Sequence, residues 1–132
     1  MKIRLKKRLI TIENMAGTIR SKVDSKGKRW SIKMRDHYGY FNDTIGADED
    51  ETDVYVNSEA IYSEIEKRKV FVVLQNDIDT QKFDEHKVIL GATSKRHAKE
   101  IYLRNYSKGF KGFGSVEVVD NLNQWLGDEL QR

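Results

Sequence analysis

The chain has no cysteine and no proline among its 132 residues. Without thiols there is no disulfide framework and no thiolate metal site, so folding makes no demand for an oxidising compartment. Without proline, the turns must rest on Gly, Asn and Asp. No run approaches the roughly 18 apolar residues that a membrane-spanning helix needs. The basic start MKIRLKKRLITIENM lacks both the apolar stretch and the small-residue cleavage site of a secretory signal. A cytoplasmic setting without a membrane partner is the simplest reading. There is also no internal repeat, low-complexity tract or linker, and a length of this order fits one domain, residues 1–132.

What the chain does have is charge. Asp, Glu, Lys and Arg make up 34% of it, yet 24 basic residues against 21 acidic ones leave a net charge of only +3. The opposed charges are local. A basic segment, KIRLKKR, opens the chain, and six carboxylates lie between Asp43 and Asp53. This balance suits nucleic acid, which would meet Arg4, Lys6, Lys7 and Arg8. It equally suits a small, highly anionic ligand held among lysines and arginines.

Hydrophobic periodicity gives a strand over Ile3 to Glu13, whose shift of phase at Ile10 and Ile12 indicates a bulge. Alternating runs around DSKGK predict a hairpin from about Gly17 to Met34. Asp53 to Val56 reads as a short strand. Ser58 is in place to cap a short helix carrying Ile61 and Ile65. Val70 to Gln75 and Glu85 to Ala92 read as strands separated by a polar connection. Ser94 can cap a helix through Tyr106 with Ala98, Ile101, Tyr102 and Asn105 on one face. The glycine-aromatic loop KGFKGFG follows, then a strand at VEVV and a terminal helix, NLNQWLGDEL, packing Trp125 and Leu126. Six or so strands and two or three short peripheral helices, with no βαβ alternation, predict a mainly β, small antiparallel OB-like barrel.

The chemistry concentrates in YGYFNDTIGADEDETDVYV, residues 38 to 56. Asp48, Asp50 and Asp53 form D-x-D-x-x-D immediately before a strand, and short carboxylates on such a pinned loop can converge on one point. Hard divalent ions take oxygen ligands of this kind and neutralise the repulsion among them. The plain alternative is a solvated acidic loop. An EF-hand is excluded, because Asp53 stands where its turn needs glycine. No Cys-His or Ser-His-Asp arrangement and no P-loop is present to support covalent hydrolysis or nucleotide binding.

Tyr38, Gly39 and Tyr40, followed after seven residues by Asp48, Asp50 and Asp53, closely resemble the signature of soluble family I inorganic pyrophosphatases. WSIKM (Trp30 to Met34), VFVV (Val70 to Val73) and FDEHKVILG (Phe83 to Gly91) look closest to the pyrophosphatase-like domain of phage and mobile-element polyvalent proteins. The resemblance runs from about Gly17 to Trp125. It implies Mg²⁺-dependent (or Mn²⁺-dependent) hydrolysis of pyrophosphate or a related phosphoanhydride. Asp48, Asp50 and Asp53 would ligate the ions, Asp53 as the bridge and Asp50 as the base, with Asp79 and Asp84 or Glu85 adding carboxylates. Arg20, Lys33, Lys87 and Lys108 would meet the phosphates, and Tyr38 and Tyr106 would donate phenolic hydrogen bonds. Lys87 also reads as an ordinary strand lysine, Tyr106 as a core residue, and His86 as structural. The family's glycine and proline between the aspartates are Glu49 and Glu51 here, and its carboxylate near Arg20 is Lys22. The alternative reading is a binding or structural module on the same barrel, either nucleic-acid-binding or associated with a virion. A phage source would place the chain in the host cytoplasm or the particle, as a homo-oligomer or virion component.

Overall fold

The computed structural model describes residues 1–24 and 26–128; Ser25 of the predicted hairpin turn and the end of the predicted last helix lie outside them. The first segment is two strands rather than one, β1 (Lys2–Leu5) and β2 (Arg8–Asn14). Leu5 faces Arg8 across a two-residue turn in which Lys6 and Lys7 both have left-handed backbone, φ 54° and 63°. That conformation matches the twist of a tight hairpin but favours glycine or asparagine, so two lysines give no sequence signal for it. The register irregularity falls later, between Ile12 and Asn14.

Strands β3 (Ile19–Val23) and β4 (Arg29–Lys33) form the expected hairpin as a separate two-stranded ribbon. The Asp24 carboxylate closes its turn by accepting from the amides of Lys26 and Lys28. Strands β5 (His37–Phe41), β6 (Asp53–Val56), β7 (Val70–Asn76), β8 (Phe83–Leu90) and β9 (Phe113–Val119) join β1 and β2 in a seven-stranded sheet of order β1-β2-β5-β6-β8-β7-β9. Its pairs are antiparallel except one: β6 runs parallel to β8, with the chain crossing between them through α1 (Tyr62–Lys67) and β7. Helix α1 starts later than expected. Ile61 stands at its N-cap with no side-chain bond, and the Ser58 hydroxyl instead donates to the Arg35 carbonyl. Helix α2 (Lys95–Leu103) is capped by Ser94, whose hydroxyl accepts from the His97 amide. Helix α3 (Leu122–Asp128) buries Leu122, Trp125 and Leu126. Among the described residues no helix is long and apolar enough to cross a membrane.

Alternation along the strands divides the core in two. On one face Ile10, Ile12, Phe41, Val54, Val72, Val88 and Leu90 pack with Ile65 of α1 and Trp125 of α3. On the other, Tyr38, Tyr55, Phe71, Val73 and Ile89 pack under Ala98, Ile101 and Tyr102 of α2. Gly39 makes the β2–β5 contact possible, since a Cβ there would lie 1.8 Å from the Thr11 carbonyl oxygen.

A buried ion pair ties α2 to the loops. Asp36 is fully buried; its carboxylate accepts from Arg104 Nε at 2.8 Å, Arg104 Nη2 at 2.6 Å, Asn105 Nδ2 at 2.9 Å and the Ser58 amide at 3.0 Å. Burial alone would raise its pKa, but these donors outweigh burial and hold the carboxyl below its ordinary range. Asp36→Ala removes the one acceptor that Arg104, Asn105 and the Ser58 amide share, leaving Arg104 with Glu59 and Asn57 and Asn105 with the Ile101 carbonyl. It should destabilise the fold by about 3–5 kcal/mol, read as a lowered urea midpoint at unchanged slope. A loss well under about 1 kcal/mol, the level of an exposed pair, would show that the clamp is not structural.

Candidate active site

The site forms on the face covered by α2, where register brings polar and charged residues from four strands side by side. Tyr38 on β5 faces Tyr55 on β6, Asp53 on β6 faces Lys87 on β8, and Gln75 on β7 faces Glu85 on β8. Successive residues of a strand point to opposite faces, so Glu85 and Lys87 share the site face while Asp84 and His86 lie on the other. His86 packs there against the rings of Phe83 and Trp125. Of the two carboxylates left open by the sequence, the structure brings Glu85 into the group and leaves Asp84 exposed outside it.

Lys87 is the centre of the group and only 2% exposed. Its ammonium lies 2.5 Å from Asp53 Oδ2 and 2.5 Å from Glu85 Oε1, and donates to the Tyr38 hydroxyl at 2.9 Å. An ammonium has three protons and here all three have acceptors. In this arrangement Lys87 organises carboxylates and has no proton left for a phosphate. Burial by itself would lower its pKa, yet the surrounding phenols and carboxylates hold it well above the usual lysine range. Tyr38 is similarly committed: its hydroxyl donates to Asp53 Oδ2 at 2.6 Å and accepts from Arg20 Nη2 at 3.3 Å.

Arg20 reaches this centre from the ribbon. Its guanidinium lies over the Tyr38 ring at 4.2 Å and near Trp30 at 5.2 Å. Its Nη1 is buried and has no hydrogen-bond partner among the described residues. Lys33 does not accompany it. Arg20 pairs with Ile32 and Lys33 with Ile19, so the two cations sit on opposite faces of the ribbon. Lys22 shares Arg20's face but is exposed.

The acidic loop is held by its own hydrogen bonds. The Gly46 amide donates to the Asp50 carbonyl at 2.6 Å, the Asp50 amide to Asp48 Oδ1 at 3.2 Å, and the Thr52 amide to the Thr44 hydroxyl at 3.0 Å. Glu49, standing where the family pattern has glycine, takes the left-handed conformation at φ 69°, which costs a non-glycine residue about 1–2 kcal/mol. Asp48 turns back to the barrel and shares a hydrogen bond with Glu85. Asp50, Glu49 and Glu51 are exposed. Asp79 is outside the group, in an exposed turn 3.6 Å from Lys26, and Lys108 is exposed beyond α2. The Tyr106 hydroxyl accepts from Tyr55 at 2.7 Å and donates to Gln75 Oε1 at 3.1 Å, so its one proton is directed inward.

Two members of the group carry no sequence motif. Gln75 ends an otherwise apolar strand, and its break in the VFVVL run is the only signal. Glu13 sits at the irregularity of β2, where burial and then the charge of Asp53 push its carboxyl up against the pull of Arg20. Neither feature stands out without the register.

Three carboxylates, Asp48, Asp53 and Glu85, thus meet around one ammonium and one shared hydrogen bond. As a donor set they fit a hard divalent cation, being all oxygen and electrostatically crowded. Asp53 and Glu85 are closed on Lys87, and Asp48 on Glu85, rather than open around a common point, and among the described residues no group of three or more His, Asp or Glu is already set to hold a metal ion.

The sheet and its short helices define a small, mostly β protein of OB-like barrel type. The structure resembles an inorganic phosphatase of Anaplasma phagocytophilum, with a TM-score of 0.52 and 16% identity over 92% of this chain and 90% of that one. It is as similar to an inorganic pyrophosphatase of Helicobacter pylori, with a TM-score of 0.52 and 18% identity over the same shares. None of the curated proteins compared by sequence matches the chain. The family model for inorganic pyrophosphatase matches residues 1–127. The chain belongs to the inorganic pyrophosphatase family, a family of hydrolases.

The Asp48–Glu85 contact makes stability depend on pH. Asp48 is held below the ordinary carboxyl range: burial opposes this, but the hydrogen bond from Glu85 and the backbone outweigh it. Glu85 is pushed up to about 7, first by burial and then, against the pull of Lys87, by Asp48 and Asp53. From the ordinary carboxyl pKa of 4.5 up to about 7 the folded chain keeps a proton on Glu85 that the unfolded chain has lost. Stability therefore falls as pH rises through that window. In metal-free thermal melts the parent should lose stability between about pH 4.5 and 7 relative to Glu85→Gln, which cannot ionise. Parallel pH profiles for the two would contradict the assignment.

Proposed function

We propose that this chain hydrolyses inorganic pyrophosphate with the help of Mg²⁺. The observation that carries the reading is the convergence of Asp53 and Glu85 on Lys87, with Asp48 hydrogen-bonded to Glu85 and with Arg20, whose Nη1 has no partner among the described residues, on the Tyr38 hydroxyl. Family membership supports the reaction type, and an oxygen-only donor set supports the choice of ion. Asp48, Asp53 and Glu85 are the ligands proposed, with Asp50 at the mouth of the loop. Bound divalent ions would offset phosphate charge and make water more acidic.

The chain's own groups supply the rest. Arg20 has, on the buried Nη1, N–H groups with no partner among the described residues that a phosphoryl oxygen entering the site would satisfy, and it stays cationic because the surrounding phenols and Asp53 outweigh the effect of burial. Asp50, whose carboxylate is exposed, accepts the proton of the attacking water. The new bond joins that water oxygen to phosphorus, the bridging P–O bond breaks, and two phosphates leave. Lys87 and Tyr38 keep Asp53 oriented throughout.

The alternative of a nucleic-acid-binding module draws no support from the basic N-terminal segment. Lys6 donates its ammonium to the Glu66 and Arg68 carbonyls, and Arg8 donates to Asn123. Lys6 and Arg8 are thus engaged within the chain, which leaves Arg4 and Lys7 as the exposed basic residues of the four. The grouping with phage and mobile-element domains rests on WSIKM, VFVV and FDEHKVILG and is part of the same proposal.

Phosphate release from pyrophosphate in Mg²⁺ tests the reading. Asp50→Asn should lower kcat by about 10²–10⁴-fold, the usual contribution of a general base. Equal rates in parent and variant, or no release from either, would remove the assignment.

A further inference from the structure

Behind Glu85 lies a chain of polar groups that the proposed reaction does not use. The fully buried Tyr55 donates its hydroxyl proton to Tyr106 at 2.7 Å. Tyr106 donates in turn to Gln75 Oε1 at 3.1 Å, and Tyr102 donates to the same oxygen at 2.5 Å. With both phenols on its carbonyl oxygen, the Gln75 amide can turn only one way, and Nε2 faces Glu85 Oε1 at 3.3 Å. Burial raises the pKa of Tyr55 and Tyr102, so both remain protonated donors. The protons all run toward Glu85.

Each acceptor in this chain has its partner, and the direction follows from the donor inventory: a phenol has one proton and an amide has one carbonyl oxygen. Glu85 Oε1 accepts from both Gln75 and Lys87. With both of these donors on Oε1, the carboxyl is left to meet Asp48, with which it shares a hydrogen bond. Gln75 has no place in the family signature, yet it is the cross-strand neighbour of Glu85 and is locked from behind by two residues of α2 and the turn after it.

We infer that Gln75 is a positioning residue: oriented by Tyr102 and Tyr106, it fixes the rotation at which the Glu85 carboxylate meets a divalent cation. This rests on the reading of Glu85 as a metal ligand given under Proposed function. Partners that orient a ligand in this way are worth about 10- to 100-fold in metal affinity or activity.

Gln75→Met keeps the volume and removes the amide. Mn²⁺ binding, followed by water-proton relaxation in the absence of pyrophosphate and well below the melting temperature, should weaken about 10- to 100-fold, beyond the lowering of the melting temperature that follows because Tyr102 and Tyr106 lose their acceptor. With pyrophosphate, the metal concentration giving half-maximal rate should rise by a similar factor, and the loss should shrink at saturating metal. Unchanged Mn²⁺ affinity in a folded Gln75→Met variant overturns the inference. Should that variant not fold, Tyr102→Phe decides by the same titration: it removes one of the two donors that orient the amide, so weaker Mn²⁺ binding supports the inference and parental binding overturns it. A parent that binds Mn²⁺ but releases no phosphate loses the proposed function, while the affinity comparison still decides the role of Gln75. A parent that binds no Mn²⁺ overturns both.

Discussion

A single ammonium holds the centre of this protein. Removing a charge from water is costly unless partners replace the lost hydration, and Lys87 is buried with two carboxylates and a phenol as those partners. The parallel register of β6 and β8 sets Asp53 directly beside Lys87, and strand alternation puts Glu85 on the same face. Loss of any of the three would strand a buried charge. The ammonium therefore does for Asp53 and Glu85 what a bound cation would do, and keeps the two carboxylates together.

Helix α2 and the turn after it support that centre from two sides. Arg104 and Asn105 grip Asp36, in the loop that leads into β5 and Tyr38. Tyr102 and Tyr106 grip Gln75 and through it Glu85. This helix and the turn after it thus fix both the strand carrying the aromatic signature and the strand carrying Glu85 and Lys87. Its amphipathic face has two uses, since the apolar residues bury the sheet while phenols of the same face feed the site.

Much of this was legible from the residues. The Ser94 cap and the helical spacing of Ala98, Ile101 and Tyr102 express α2 locally, as DSKGK expresses the ribbon turn. The spacing of Tyr38, Gly39 and Tyr40 to Asp48, Asp50 and Asp53 pointed to the family. What stayed hidden depends on register and on long-range contacts. The Lys6–Lys7 turn has no glycine to betray it, and Ser58 is drawn from helix capping by Arg35 and Asp36. The parallel β6–β8 pair decides that Glu85 rather than Asp84 joins the site, and ribbon pairing decides that Arg20 and not Lys33 approaches Tyr38. Gln75 could not be recognised without knowing what lies across the strand.

The most direct measurement is a crystal structure of the chain grown with Mn²⁺, with the ion located by its anomalous signal. The account predicts a peak within bonding distance of Asp48, Asp53 and Glu85, and the Lys87 ammonium moved off at least one of those carboxylates. An ion bound elsewhere, or no ion with Lys87 still seated between Asp53 and Glu85, would contradict it.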